Sequence, residues 1–270
     1  MSKYVVARLK AYGKETAKII ADHIGCECVV WNGPDAEFTK WTIPWGVRSA
    51  TSCLNTFIPD SKGKARAIMA KAKVPIPAFI GASFVTDCPT DNGKFPVVLR
   101  PLHHCQGKGM YVCHSVGELI NAMASEPAGW YVSDVVDKVK EYRVHVVGPR
   151  VLCVQDKEYD PSKGFAGNHN VQQESWKWLT WDTLKETEHM PAVMKAALDA
   201  CKSCSYDFGG VDVMLDKDGK VYVLEVNSAP AVSEKMAHKY GMAIKKALDG
   251  EAKEPSGDKV NQMLWKGVQV

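Results

Sequence analysis

The sequence has no apolar run close to the roughly 20 residues that a membrane-spanning helix requires. Its first residues, Met1 to Val6, lack the long apolar core of a signal peptide. The net charge is only +3 and no basic stripe runs along the chain, so a nucleic-acid partner is not indicated. We therefore expect a cytoplasmic protein that binds neither a membrane nor a nucleic acid.

Cysteine is present but is not arranged as a disulfide framework. The nine cysteines are an odd number, are scattered along the chain and mostly sit among apolar residues, as buried free thiols do. Cys201-Lys202-Ser203-Cys204 has the CxxC spacing of zinc and redox sites, but no second ligand pair accompanies it. The pattern favours structural thiols over a metal or redox role.

The overall composition is that of an ordinary globular protein, with 46% hydrophobic and 24% charged residues in 270. Strand, helix and strand patterns at Tyr4 to Leu9, 13 to 24 and Cys26 to Trp31 predict a small α/β lobe. From about Ile58 the pattern changes to helices mixed with antiparallel hairpins. The larger part of the chain is therefore predicted to be α+β.

The stretch from Gly209 to Asn227 is the most informative part of the chain. It indicates two strands joined at Asp218-Gly219, and a two-residue turn there fixes the register. Asp212 then lies opposite Glu225, with Asn227 on the same face. Because opposed like charges repel, two carboxylates and an amide oxygen predict a site for Mg²⁺ or Mn²⁺. The alternative is an exposed hairpin face with solvated acids.

Residues that suit phosphate groups follow a buried-looking strand. Arg100 lies near the end of that strand, and the loop from His104 to Gly109 contains two glycines and Lys108. Backbone amides and a lysine in such a loop can bind phosphate oxygens. It is not a Walker A loop, which needs GxxxxGK[ST] before a helix. The alternatives are a plain turn and a solvated strand end.

Two further strand patterns carry polar residues. Trp130 to Asp137 predicts either a strand that offers groups to a base and a ribose, or an edge strand that runs into a turn. Residues alternate from Glu141 to Val147, so Arg143 and His145 share one face. We assign no role to His145, whereas the planar guanidinium of Arg143 suits phosphate or carboxylate. The long polar stretch between Glu158 and Trp178 is either a lid or disordered.

Taken in order, these motifs resemble the ATP-grasp superfamily over roughly residues 54 to 240. The hairpin from Gly210 through Pro230 is similar to the family's metal-binding strands. Glu141 to Val146, followed by Asn168-His169-Asn170, is similar to a subgroup often encoded by phages. That subgroup is related to carboxylate–amine ligases such as the ribosomal-protein glutamate ligase and D-alanine–D-alanine ligase.

The resemblance implies an ATP-grasp fold, of mixed α+β and α/β class, in which two α+β lobes sandwich the nucleotide. The implied divisions are an N-terminal α/β lobe (1–58), a central subdomain with the glycine-rich loop (59–133), a C-terminal subdomain with the metal site (134–250) and a polar tail (251–270).

The resemblance also implies a reaction and its site residues. ATP would activate a carboxylate as an acylphosphate, which an amine then attacks, with release of ADP and phosphate. Mg²⁺ (or Mn²⁺) would be held by Asp212, Glu225 and Asn227. ATP would be contacted by Lys64, Arg100, His104, Gln106, Gly107, Lys108, Gly109, Tyr131, Val132 and Asp134. The γ-phosphate and the acyl group would lie near Arg143, Lys157 and Asn168.

The sequence departs from the family pattern at four positions. Arg100 replaces the usual lysine, which keeps the charge and alters the reach, and Asp134 stands where glutamate is more common. Gly167 precedes Asn168 where related sequences often carry arginine, and Ala231 stands where glycine is frequent. The metal triad is intact, which favours a working enzyme.

Two other functions stay open from the sequence: a phosphotransferase that stops at a phosphorylated acceptor, and a nucleotide-binding regulatory protein without turnover. A peptide, an amino acid and a polyamine are all compatible substrates. The aromatic N-terminal residues Trp31, Trp41 and Trp45 either shape an acceptor pocket or belong to a core or interface. The resemblance further allows a homo-oligomer and, for a phage-encoded protein, a location in the host cytoplasm.

Overall fold

The computed structural model describes residues 4–8, 10, 13–31, 41–47, 53–55, 59, 61–81, 95–102, 109–125, 129–158, 175–250 and 263–265. Within these ranges the strands form three sheets, which follow one another along the chain. No helix in the same ranges is long and apolar enough to cross a membrane.

The first sheet is small and parallel, with the order β2-β1-β3. Its elements are β1 (Val5–Arg8), α1 (Lys14–Ile24), β2 (Glu27–Val30) and β3 (Thr42–Trp45). The apolar face of α1 is buried through Ala17, Ile20 and Ile24, and Gly25 ends the helix in the left-handed region (φ 74°). The predicted strand, helix and strand are therefore confirmed.

The second sheet is antiparallel, with the order β4-β7-β5-β6. This part contains α2 (Lys62–Lys71), β4 (Phe79–Gly81), β5 (Val97–Pro101), β6 (Tyr111–Cys113), α3 (Val116–Ala124) and β7 (Trp130–Asp134). The predicted cap of α3 forms, because Ser115 Oγ accepts a hydrogen bond from the Glu118 amide at 3.3 Å. Glu118 returns its bond to the amide of His114 (2.9 Å), one residue earlier than the standard motif.

The third sheet is antiparallel, with the order β10-β9-β8-β11-β12. Its elements are β8 (Lys138–Val147), β9 (Arg150–Glu158), β10 (Ser175–Trp178), α4 (Trp181–Glu186), α5 (Met190–Ser203), β11 (Phe208–Asp216), β12 (Val221–Asn227) and α6 (Glu234–Leu248). The predicted α+β character of this larger part is confirmed. Cys201 and Cys204 are buried at the end of α5, and burial raises the pKa of both thiols. Burial therefore opposes the thiolate that a metal or redox role would require.

The two faces of the third sheet differ in chemistry. The apolar face packs on α5 through Val144, Val146, Val211 and Val213. The polar face is covered by α6 over one half, where fully buried His145 has Nδ1 2.9 Å from the Tyr240 hydroxyl and Nε2 2.9 Å from Gln155 Oε1. The other half carries Glu141 and Arg143 and faces the candidate site. The absence of a predicted catalytic role for His145 agrees with these structural contacts.

Two contacts hold the first sheet against the third. Trp45 stacks on Phe208 with the ring centroids 5.5 Å apart, so this tryptophan belongs to a core. Asn55 is fully buried and has a left-handed backbone (φ 49°), which asparagine tolerates better than most residues. Its side-chain oxygen accepts bonds from the amides of Asp207 (2.6 Å) and Phe208 (3.1 Å).

The β11–β12 hairpin agrees with the predicted register at its open end. Asp212 lies opposite Glu225, as predicted. Near the turn, however, Leu215 lies opposite Val221, one residue away from the register that a two-residue turn imposes. The predicted two-residue turn at Asp218-Gly219 is therefore wrong.

The longer turn has a local cause, and a bulge compensates for it. Asp216 Oδ1 accepts hydrogen bonds from the backbone amides of Asp218 (2.9 Å) and Lys220 (2.8 Å), which enlarges the loop. Leu224 is then left without a partner on β11, as the extra residue of a bulge. The bulge restores the register just before Glu225.

Candidate active site

The predicted metal-binding acids face each other across β11 and β12, and each is matched by a cation. Arg143 on β8 lies opposite Asp212 and donates to both of its carboxylate oxygens, from Nε at 2.6 Å and from Nη2 at 2.8 Å. Burial alone would lower the pKa of Arg143, but the Asp212 carboxylate raises it above its ordinary value. This pair is therefore ionic.

Glu225 is held by a different cation, from α2. Lys62 donates a short hydrogen bond to Glu225 Oε2, and the Asn227 amide donates to Oε1 at 3.0 Å. Burial alone would raise the pKa of Glu225, but the Lys62 ammonium and the Asn227 bond hold it at about 2. The structure thus brings the three predicted metal ligands to one place, with Glu225 ionised.

A third buried carboxylate, Glu141, lies beside this pair on β8. It accepts hydrogen bonds from Lys138 and, at 2.9 Å, from Lys157 on β9. Burial alone would raise the pKa of Glu141, but the two ammonium groups hold it at about 2. The ring of Trp176 on β10 is 5.5 Å from Lys157 Nζ and 4.7 Å from the Arg143 guanidinium carbon. Lys157 and Arg143 therefore share one aromatic neighbour.

Two arginines complete the site from the side of the second sheet. Arg66 on α2 is 1% exposed and donates from Nη2 to the carbonyl of the bulge residue Leu224 at 3.1 Å. Its guanidinium carbon lies 5.1 Å from the centre of the Tyr131 ring. Arg100 on β5 is close enough to act electrostatically on both Arg66 and Glu225. Burial, opposed by Tyr131, lowers the pKa of Arg66.

These arginines retain unused hydrogen-bond donors. Within the part of the chain that the structure describes, Nε and Nη1 of Arg66 and Nε of Arg100 are buried without a partner. Buried donors without acceptors are costly, so their presence indicates that an anion completes the site. Two arginines that approach each other point to the same requirement.

The site as a whole has more positive than negative groups. Its described cations are Lys62, Arg66, Arg100, Lys138, Arg143 and Lys157, against the carboxylates of Glu141, Asp212 and Glu225. The excess of three positive charges in a largely buried site suits a polyanion such as a triphosphate.

The predicted base- and ribose-binding residues lie on or beside β7. Tyr131 and Val132 are each 1% exposed and are paired with both β4 and β5, so the sheet surrounds them. Asp134 is exposed, and with Val135 to Asp137 it lines a cavity of about 130 Å³ that also includes Tyr222. Of the three residues, Asp134 is thus the one that faces open space. All three stay predictions as nucleotide contacts.

Several predicted contacts cannot be placed. His104, Gln106, Gly107, Lys108 and Asn168 lie outside the described residues. Gly109 has φ 71°, the left-handed region that favours glycine. Lys64 is exposed on α2, and its backbone amide donates to the capping Ser61 Oγ at 3.2 Å. Their functional assignments stay predictions.

The sequence analysis missed three charged residues of this site: Lys62, Arg66 and Glu141. Lys62, Arg66 and Met69 follow an i, i+4, i+7 spacing, so the helix places all three on its inner side. A charge on an otherwise apolar helical face was the available signal. Glu141 carried a comparable signal, because it alternates in register with Arg143 on β8.

Comparison with known proteins identifies the family. Residues 99–248, more than half of the chain, match the model of a family described as an ATP-grasp domain, family 3 of its clade. The chain belongs to the ATP-grasp family. The predicted ATP-grasp resemblance is confirmed, whereas its phage-encoded character stays a prediction.

Curated relatives of this ATP-grasp protein match only part of their own length. The uncharacterized protein y4sG of Sinorhizobium fredii is 26% identical over 222 residues, which is 74% of this chain and 65% of that protein. The D-alanine–D-alanine ligase of Methylacidiphilum infernorum is 26% identical over 196 residues, 71% of this chain and 62% of that enzyme. The chain thus spans less than two thirds of these relatives.

Solved structures confirm the predicted ATP-grasp fold. The L-amino acid ligase of Bacillus licheniformis superposes with a TM-score of 0.62 at 15% identity, over 92% of this chain and 75% of that one. The D-alanine–D-alanine ligase of Bacillus anthracis complexed with ATP gives a TM-score of 0.59 at 16% identity, over 92% and 95%. At these identities the likeness concerns the fold alone.

The donor set of the ATP-grasp site fits Mg²⁺ or Mn²⁺. Within the described residues no three His, Cys, Asp or Glu side chains surround one point, and the donors are two carboxylates and an amide. Such hard oxygens suit Mg²⁺, which usually keeps water molecules and shares phosphate oxygens. Asp212 and Glu225 each already bind a cation of the protein, so both positions require positive charge.

Proposed function

We propose that the protein is an ATP- and Mg²⁺-dependent carboxylate–amine ligase that works through an acylphosphate and releases ADP and phosphate. The observation that carries the proposal is the opposed pair Asp212 and Glu225, surrounded by a surplus of buried cations with unused donors. Membership of the ATP-grasp family and similarity to D-alanine–D-alanine ligases support it.

The arginines of the second-sheet side would bind the triphosphate. Arg66 and Arg100 offer buried N–H groups, and their charges would neutralise phosphate oxygens during transfer. Asp212, Glu225 and Asn227 would hold Mg²⁺, which supplies Lewis-acid stabilisation of the phosphate charge. The predicted loop from His104 to Gly109 would cover the nucleotide and exclude water that would hydrolyse an acylphosphate.

The cations of the third sheet would serve the reacting carboxylate. A carboxylate oxygen attacks the γ-phosphorus, and the bond from that phosphorus to the β,γ-bridging oxygen breaks, with its electron pair leaving on ADP. Arg143 and Lys157, with Asn168 as predicted, would hold the donor carboxylate and the transferred phosphoryl group in line. The amine then attacks the acyl carbon, and phosphate leaves with the bonding pair and takes up a proton that the nitrogen loses.

The first test is release of ADP from Mg²⁺–ATP in the presence of pooled amino acids, peptides and polyamines, with mass spectrometry of the same samples. We expect ADP that depends on the pool, together with a product lighter than its two substrates by one water. ADP with a stable phosphorylated product would instead assign a phosphotransferase. ATP binding without ADP in any pool would assign a regulatory nucleotide-binding protein.

Variants of the two acids test the metal assignment. Asp212→Asn and Glu225→Gln should each lower Mg²⁺-dependent turnover by at least about a hundredfold, because each removes one hard charged ligand. Asp199→Asn and Glu234→Gln make the same chemical changes at exposed positions and should leave turnover unchanged. Unchanged turnover in the first two variants would show that the metal lies elsewhere.

A further inference from the structure

A second cavity lies next to the metal-binding acids. It measures about 200 Å³ and is enclosed by the first half of α2, the end of β12 and Gly46 after β3. Glu225 and Asn227 form part of its wall. Because a cavity of roughly 150 Å³ holds a benzene molecule of six heavy atoms, this one suits a single small molecule.

The wall of this cavity combines an apolar surface with one cation. Ala65, Met69, Tyr206 and Val226 supply apolar surface, which would fit a compact aliphatic group. Lys62 is the one cation and Glu225 the one carboxylate among the described residues of the wall. Since these two bind each other, the empty cavity is nearly neutral.

Metal binding would change that balance. A divalent cation on Glu225 would compete with Lys62 for the carboxylate, and the Lys62 ammonium would be left beside the cavity without its partner. The first turn of α2 contains no acidic residue, and the positive end of the helix dipole adds to the same field. The cavity would then favour a negatively charged group close to Lys62.

We propose that this cavity binds the amine substrate, and that this substrate is a small amino acid whose carboxylate pairs with Lys62. The inference rests on the proposed ligase function and specifies its acceptor. The amino group lies on the side of Glu225 and Asn227, where the acylphosphate forms, and the aliphatic part contacts Met69 and Val226. A polyamine is disfavoured because it brings positive charge next to Lys62. A peptide exceeds the volume.

The experiment measures binding rather than turnover. Protein saturated with Mg²⁺ and non-hydrolysable β,γ-imido-ATP is titrated with each of the common L-amino acids, D-alanine, alaninamide and putrescine, and binding is followed by calorimetry and saturation-transfer NMR. We expect one or more small amino acids to bind. Alaninamide and putrescine should bind at least about tenfold more weakly, because a charge-assisted hydrogen bond is lost. Omission of Mg²⁺ should weaken amino-acid binding similarly.

Variants of α2 assign the carboxylate contact. Lys62→Met should weaken amino-acid binding by at least about tenfold while imido-ATP binding changes by less than about threefold. Lys62→Arg keeps the charge and should recover part of the affinity. Lys71→Met makes the same change at the far, exposed end of α2 and should behave as the wild type. Thermal melting of each variant shows whether it is folded.

The outcomes separate this inference from the function on which it rests. Wild-type protein that does not bind imido-ATP with Mg²⁺ would overturn the proposed function and the acceptor assignment with it. Nucleotide binding without binding of any amino acid would overturn the acceptor assignment alone. Equal binding of alanine and alaninamide, or folded Lys62→Met that binds amino acids like the wild type, would also overturn it.

Discussion

The two faces of the five-stranded sheet are built from alternate residues of the same strands, yet they are stabilised in opposite ways. On the α5 face, Val144 and Val211 are fully buried among other apolar side chains. On the other face, Arg143 and Asp212 are buried as an ion pair. An apolar contact loses only the atoms removed from it, whereas a buried charge that loses its partner keeps its full desolvation cost. The polar face is therefore the more sensitive to single substitutions.

The largest expected effect comes from splitting the buried ion pair. Arg143→Met should lower the free energy of unfolding by about 4 kcal/mol, because it leaves the Asp212 carboxylate buried and unpaired. The double variant Arg143→Met/Asp212→Leu should recover most of that loss. Urea denaturation of both variants measures the difference. A double variant less stable than the single one would contradict this account of the polar face.

A substitution on the apolar face should have a smaller effect that no second substitution reverses. Met194 on α5 is fully buried against this face, and Met194→Ala should cost about 3 kcal/mol through lost contacts and a residual cavity. Adding Val144→Ala should increase the loss. Recovery of stability in that double variant, measured by the same urea denaturation, would show that the two faces do not differ as described.

The polar face should also make stability depend on pH. Burial lowers the pKa of His145 to about 4 from an ordinary 6.5, so the unfolded chain binds more protons between these values. This contribution is complete above pH 6.5 and is lost as the pH falls to 4, by roughly 3 kcal/mol in all. His145→Gln should flatten the curve of unfolding free energy against pH in that window. Equal slopes in both proteins would exclude His145 as the cause.

The smallest effect is expected for an ion pair in water. Lys18 and Asp22 are four residues apart on α1, and their side chains are 68% and 62% exposed. Lys18→Ala should change the free energy of unfolding by less than about 0.5 kcal/mol, because solvent screens the pair and either charge is stable alone. A loss close to that of Arg143→Met would mean that burial is not what separates the two pairs.

Much of the fold could be predicted because local patterns agree with tertiary contacts. The alternation from Glu141 to Val147 placed Arg143 on the face opposite Val144, and the structure confirms it. The pairing of Asp212 with Glu225 was also predicted correctly. In each case a period of two residues, read along one strand, determined the outcome.

The remaining features depend on contacts that no local pattern contains. The bulge at Leu224 is recognised only when Arg66, from a distant helix, donates to its carbonyl. Arg66 itself was passed over for Lys64, because sequence spacing does not show which side of α2 faces the cluster. The cavity beside Lys62 is formed by segments more than 150 positions apart in the sequence, Lys62 and Glu225 among them.

The bulge at Leu224 has a practical consequence for engineering. Residues 217–220 at the tip of the hairpin are exposed, and the extra residue lies between that tip and Glu225. A bulge of this kind absorbs a shift in length, much as an expansion joint does, before the shift reaches the paired carboxylates. The tip is therefore the place on this strand pair to attach a fluorophore or insert an affinity tag while leaving the chemistry in register.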